Sequence, residues 1–140
     1  MDLPDEYDGD IPDTAENKFV EISPDKKFSR FIEEIGRGAH KTVYLGWDNE
    51  EGREVAWNNV KFTEKSKECT NKIANEIRLL KNLEHSNIIN LLGAWLTEDK
   101  NAIIFITEIC QGGSLKFHMK KFRPIRKKII KKWCRGILQG

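Results

Sequence analysis

Gly36-Arg37-Gly38-Ala39-His40-Lys41-Thr42-Val43 sets two glycines and a lysine between two runs of β-forming residues, Phe31 to Gly36 and Lys41 to Trp47. Glycine lacks a Cβ, so a hairpin built this way can lay its backbone N–H groups against a phosphate. Strand on both sides excludes the dinucleotide-binding fingerprint, whose glycines open a helix. Two readings stay open from this stretch alone: a glycine-rich flap over a bound anion, or a plain hairpin turn.

Three more β-like runs follow, Glu54 to Lys61, Leu91 to Thr97 and Ala102 to Thr107. Asp48 to Gly52 and Glu98 to Asn101 read as the turns of antiparallel hairpins. Between the third and fourth runs, Ile73, Ile77, Leu80 and Leu83 recur at helical spacing within Lys67 to Leu83. The expected class is therefore α+β, with a five-stranded antiparallel sheet and one main helix. Gln111-Gly112-Gly113 then breaks the pattern, Ser114 caps a short helix through about Lys121, and Pro124 ends it. A last helix, Arg126 to Gln139, gathers Ile129, Ile130, Trp133, Ile137 and Leu138 on one side. Ahead of all this, Asp, Glu, Pro and Gly dominate and apolar anchors are few. Residues 1–27 are therefore expected to be a disordered acidic leader. The organisation reads as leader 1–27, sheet and helix 28–107, connector 108–113 and first helices of a further lobe 114–140.

With 39% apolar and 33% charged residues, the 140-residue chain can bury a modest core under a water-compatible surface. Apolar runs such as Ile103-Ile104-Phe105-Ile106 fall far short of the ~20 residues that cross a bilayer. The acidic start lacks the basic region of a secretory signal, so a cytoplasmic address is expected. Cys69, Cys110 and Cys134 lie far apart, as do His40, His85 and His118. No spacing suggests a zinc site or disulfide framework, so the metal expectation is none and the thiols are expected free and buried. The net charge of +2 hides an asymmetry, since Lys116 to Arg135 holds ten Lys or Arg and no acid. Such a run suits nucleic acid or an anionic membrane. Its interleaving with Phe117, Phe122, Ile125, Ile129, Ile130 and Trp133 suits the solvated face of docked helices better.

Strand parity adds chemistry to the hairpin. Lys41 and Val43 are two apart on one strand and so share a face. Glu76, at ~100° per residue, falls inside the apolar stripe of the main helix. A carboxylate there costs several kcal/mol unless a cation meets it. A Lys or Arg side chain opposite Glu76 follows as an expectation.

Taken together, these elements resemble the small lobe of a protein kinase. In that resemblance Gly36 to Val43 is the loop over the ATP phosphates, and Val55-Ala56-Trp57-Asn58 stands where kinases carry Val-Ala-Ile-Lys. The phosphate-binding lysine is replaced by Asn58, while Lys41 stands in place of the loop's third glycine. One cation is lost and one gained on the same cleft. That exchange resembles the WNK, or with-no-lysine, serine/threonine kinases. Further matches are Glu76-Ile77 with Leu80-Lys81, His85 with Asn87-Ile88-Ile89, Thr107-Glu108, and Trp133-Cys134-Arg135 with Ile137-Leu138.

The resemblance implies an ion pair between Lys41 and Glu76, catalytic roles for both, and nucleotide contacts from Ile35, Gly36, Arg37, Gly38, Val43, Ala56, Asn58, Thr107, Glu108 and Cys110. Thr107 would be the gatekeeper, and the backbone at Glu108 and Cys110 the adenine-binding hinge. It implies ATP and Mg2+ as cofactors and protein Ser/Thr sites, including those of other kinases, as substrates. Chloride, which inhibits family members, meets Leu91 and Phe105 here, the reverse of the family's Phe and Leu. The chain ends at Gly140, before any His-Arg-Asp or Asp-x-Gly motif. The general base and magnesium ligands would lie beyond it, and these 140 residues are not expected to phosphorylate anything alone. The alternative is a non-catalytic interaction or scaffold module with weak or no nucleotide binding.

Overall fold

Val55, Ala56, Trp57 and Asn58 are four consecutive buried residues. Adjacent side chains of a strand point to opposite faces, so burial of all four means that both faces of this strand are covered. The computed structural model describes residues 19–62 and 67–140, apart from the side chains of Lys67, Cys69 and Thr70. In chain order its elements are β1 (Phe19–Ile22), β2 (Phe28–Arg37), β3 (Lys41–Asp48), β4 (Arg53–Lys61), α1 (Lys67–Lys81), β5 (Leu91–Leu96), β6 (Ala102–Glu108), α2 (Leu115–Lys121) and α3 (Lys127–Gln139). The strands form one antiparallel sheet in the order β1-β2-β3-β4-β6-β5, with β4 and β6 inside it.

On one face Trp57 and Val55 pack with Phe28, Ile104 and Ile106, and Tyr44, Leu92 and Trp95 close around them. The sheet curls over this cluster, because β1 and the β5–β6 turn border the same cavity. Gly93 makes the curl possible: a Cβ there would sit 3.0 Å from the Phe28 ring. On the other face Val60, Ile103 and Phe105 meet Ile73 and Ile77 of α1, with Phe62 and Leu91 at the margin. Leu91 and Phe105 thus lie in one apolar cluster.

Turns follow their side chains. Buried Asp48 accepts from the N–H groups of Glu50 and Glu51 at 3.0 and 3.1 Å, shaping the β3–β4 turn. Gly113, at φ +84°, occupies a backbone region that L side chains avoid, and Ser114 then caps α2 by accepting from Phe117 N–H at 3.2 Å.

Three expectations need correction. The sheet has six strands, not five, since β1 lies inside the stretch read as a disordered leader. β1 pairs with β2 through Phe19↔Phe31 and Ile22↔Ser29, and the Arg30 guanidinium meets Glu21 at 3.0 Å. Long-range pairing supplies what local composition lacks. Residues 1–18 of that leader lie outside the described residues. The thiols of Cys110 and Cys134 are exposed rather than buried, because the connector and α3 carry no covering layer among the described residues. For the same reason the α3 stripe stays open to water: Ile129, Ile130, Ile137 and Leu138 are exposed.

Trp57 is wholly buried, yet its indole Nε1–H has no partner among the described residues. Trp57→Ala is expected to lower stability by about 3–5 kcal/mol in urea unfolding. Trp57→Phe should cost clearly less, because it removes an orphaned donor with the ring's extra volume. Equal losses would mean that the orphan N–H carries no penalty.

Candidate functional site

Strand register assembles the site. Lys41 pairs with Val60, Val43 with Asn58, Asn58 with Phe105, and Ala56 with Thr107. Residues directly opposite one another share a face, so Lys41, Val43, Ala56, Asn58, Phe105 and Thr107 all belong to the α1 side of the sheet. Ala56, Asn58, Phe105 and Thr107 are buried there.

Asn58 is turned into the sheet. Its Nδ2 donates to the carbonyls of Ala56 and Phe105, both at 3.2 Å, and lies 3.4 Å from Thr107 Oγ1. A neutral amide committed in this way ties β4 to β6 beside Thr107 and supplies no cation to an anionic ligand. Lys41 supplies one. Its ammonium lies 4.9 Å from the centre of the Phe105 ring, within cation–π range. It borders a 290 Å³ cavity together with Val60 and Phe105 of the sheet and Ile73, Glu76, Ile77 and Leu80 of α1. Burial pulls the Lys41 ammonium below its ordinary value of 10.5, and the Glu76 carboxylate opposes that pull.

Lys41 and Glu76 therefore face one cavity, but the expected ion pair is not closed: no ion pair joins them within 4.0 Å among the described residues. Glu76 is exposed. Its carboxylate keeps water at the open mouth of the cleft, so the desolvation that would demand a contacting cation is absent.

The glycine loop is closed by Gly38 N–H donating to the Lys41 carbonyl at 2.6 Å, with Gly36 opposite Val43. Ile35 lies at an irregularity between the Glu34 and Gly36 pairings and is exposed. Arg37 pairs in register with Thr42, on the side away from Lys41, and its guanidinium grips Glu34 in a two-bond fork at 2.7 and 2.8 Å. Only its backbone is left to serve the loop. At the connector, Glu108 N–H donates to the Asn90 carbonyl at 3.2 Å, while Asn90 N–H donates to Glu108 Oε1 at 2.9 Å. No such bond takes the Cys110 N–H among the described residues.

Two contributors escaped the sequence reading. Phe105 as the ring beneath Lys41 was accessible through its two-residue spacing from Thr107. The Asn90–Glu108 latch had no local signal, since its partners are 18 residues apart.

A family model for the protein kinase domain matches residues 29–140. The chain belongs to the protein kinase domain family. Among its relatives in that family are a "Probable serine/threonine-protein kinase WNK5" of Oryza sativa subsp. japonica, 39% identical over 87% of this chain. "Serine/threonine-protein kinase WNK3" of Mus musculus is 37% identical over 94% of it. "Serine/threonine-protein kinase WNK" of Caenorhabditis elegans is 35% identical over the full length of this chain. The WNK resemblance carried by Lys41 and Asn58 thus holds across most of this kinase chain. The chain spans 38% of the rice protein and 8% of each animal protein. Among solved structures, a crystal structure of Rad53 1–466 in complex with AMP-PNP aligns with a TM-score of 0.66 at 24% identity, covering 81% of this chain and 29% of that one. It shares the kinase fold.

Removing the Glu76 charge should leave burial unopposed at Lys41. Glu76→Gln is expected to lower the Lys41 titration further, read from its ε-methylene NMR signals against pH. Because the folded-state value lies below the ordinary one, the unfolded chain binds more protons between the two. Stability therefore rises as pH climbs through that window towards 10.5. An unmoved titration in Glu76→Gln would place the carboxylate too far away to act.

Proposed function

We propose that this chain is the ATP-gripping part of a WNK-type serine/threonine protein kinase, in which Lys41 binds the phosphates that the strand-three lysine binds in other kinases. The observation that carries this reading is the exchange of partners across one cleft. Asn58 is buried and bonded into the sheet, while the Lys41 ammonium projects over Phe105 into the cavity faced by Glu76. The names of the relatives point the same way, and the Rad53 structure holds an ATP analogue in a related fold.

Phosphoryl transfer relies chiefly on positioning and on stabilising negative charge. In this reading Gly36, Arg37 and Gly38 offer backbone N–H groups to the phosphates, and Ile35, Val43 and Ala56 sandwich the base. Thr107 closes the back of the pocket. The backbone at Glu108 and Cys110 holds the adenine edge, and the unclaimed Cys110 N–H suits that role. Glu76 orients Lys41 once a nucleotide draws the open cleft together. The small lobe would run over 28–107, the hinge over 108–113 and the start of the large lobe over 114–140. Magnesium accompanies ATP in this family. Among the described residues no three Asp, Glu, His or Cys side chains converge to hold a metal. The whole protein would transfer the γ-phosphate of ATP to Ser or Thr of protein substrates in the cytoplasm. No helix among the described residues is long and apolar enough to cross a membrane.

Nucleotide binding by the purified chain tests the assignment. Lys41→Met should weaken ATP binding about ten- to a hundredfold, the loss expected for a charge-assisted contact. Asn58→Ala should lower stability by about 1–2 kcal/mol through its lost sheet bonds, with affinity changed less than about threefold. Equal losses of affinity in both variants would overturn the relocated cation and favour the interaction-module reading.

A further inference from the structure

The Lys41 ammonium sits at the end of a long flexible side chain, and no carboxylate lies within 4.0 Å of it among the described residues. What it meets is the face of the Phe105 ring, 4.9 Å from the centroid. We propose that Phe105 is a positioning residue, whose ring holds the Lys41 ammonium aimed into the cleft before any anion arrives, by cation–π attraction rather than by an ion pair. The placing of the ammonium stands on this geometry alone. Its consequence for ATP rests on the reading of Lys41 as the phosphate-binding cation.

The ring is itself held. Phe105 is 8% exposed and packs with Val60 and Ile103 of the sheet against Ile73 and Ile77 of α1. Its carbonyl accepts from Asn58 Nδ2 at 3.2 Å. The neutral amide on β4 therefore anchors the backbone of the residue that steers the lysine.

Lys41 is tethered at its own backbone. It stands opposite Val60 in register, and its carbonyl accepts from Gly38 N–H at 2.6 Å. These contacts fix where the side chain starts and leave its four-carbon stem free to choose a direction. The ring sets that direction.

Filling space does not by itself call for an aromatic here. The apolar side chains of β6 are otherwise aliphatic, namely Ala102, Ile103, Ile104 and Ile106, and the one ring stands under Lys41. An isoleucine or leucine fills such a layer but presents no negative π face to an ammonium.

Other charge around this cavity is sparse. Glu76 of α1 and His40 of the glycine loop are the further titratable groups that line it, beside the neutral Val60, Phe105, Ile73, Ile77 and Leu80. Glu76 favours the charged form of Lys41 without touching it, and partial burial opposes that form. The ring adds a second support, one that needs contact.

The test puts fluorine on the ring. Mono-, di- and trifluorophenylalanine at position 105 of the 140-residue chain nearly keep the ring's shape while draining negative potential from its face. The Lys41 ε-methylene titration, assigned by its loss in Lys41→Arg, is followed in the alkaline range, where histidines are neutral. It is expected to fall stepwise with each added fluorine while the urea midpoint stays level. ATP affinity should weaken about two- to fivefold from the natural ring to the trifluoro form, and stay unchanged across the series in a Lys41→Met background. A titration that does not move, or one that falls only in step with the urea midpoint, would overturn the proposal. A stepwise titration with ATP affinity unchanged would sustain Phe105 as the positioning residue and count instead against phosphate binding by Lys41.

Discussion

The structure hangs on the alternation of β4 between its two neighbours. Held by β3 on one side and β6 on the other, this strand turns Trp57 into one apolar layer and Asn58 into the other. A shift of register by one residue would put the amide in the core beneath the curl and the indole in the cleft. Each of the features described above, from the aromatic cluster to the placing of Lys41, depends on that register.

From it follows the electrostatic character of the cleft. The strand position nearest its centre is neutral and serves the sheet, so the positive charge comes from Lys41 at the end of the neighbouring strand. There the ammonium is partly withdrawn from water and lies over a ring, conditions that raise the value of any anion able to reach it. Glu76 stands across the same cavity without touching. The arrangement is an open one, with the cation on the sheet wall and the carboxylate on the helix wall of one cavity.

The two faces of the sheet have separate chemistries. On the α1 side the described cation is Lys41, backed by apolar side chains, which suits an anionic ligand. Around the cavity between β1 and the β5–β6 turn acids outnumber bases, with Glu21, Glu98 and Asp99 against Lys61. Because β4 feeds both with alternate residues, Asn58 and Asn59, neighbours in the chain, face opposite sides of the sheet.

By itself the sequence determined the glycine hairpin, the turns at Asp48 to Gly52 and Glu98 to Asn101, and the Ser114-capped helix. It also determined the sharing of a face by Lys41 and Val43. All of these rest on interactions within a few residues: backbone freedom at glycine, side-chain-to-backbone bonds, and the two-residue period of a strand. Tertiary structure alone decided that Phe19 to Ile22 is a strand, because its stability comes from pairing with β2 rather than from its own acidic surroundings. It alone decided that Lys41 and Glu76 stand apart, that Cys110 and Cys134 are exposed, and that Asn90 latches Glu108. Those outcomes depend on distances and solvent access between segments remote in the chain, and neither quantity is written in local periodicity.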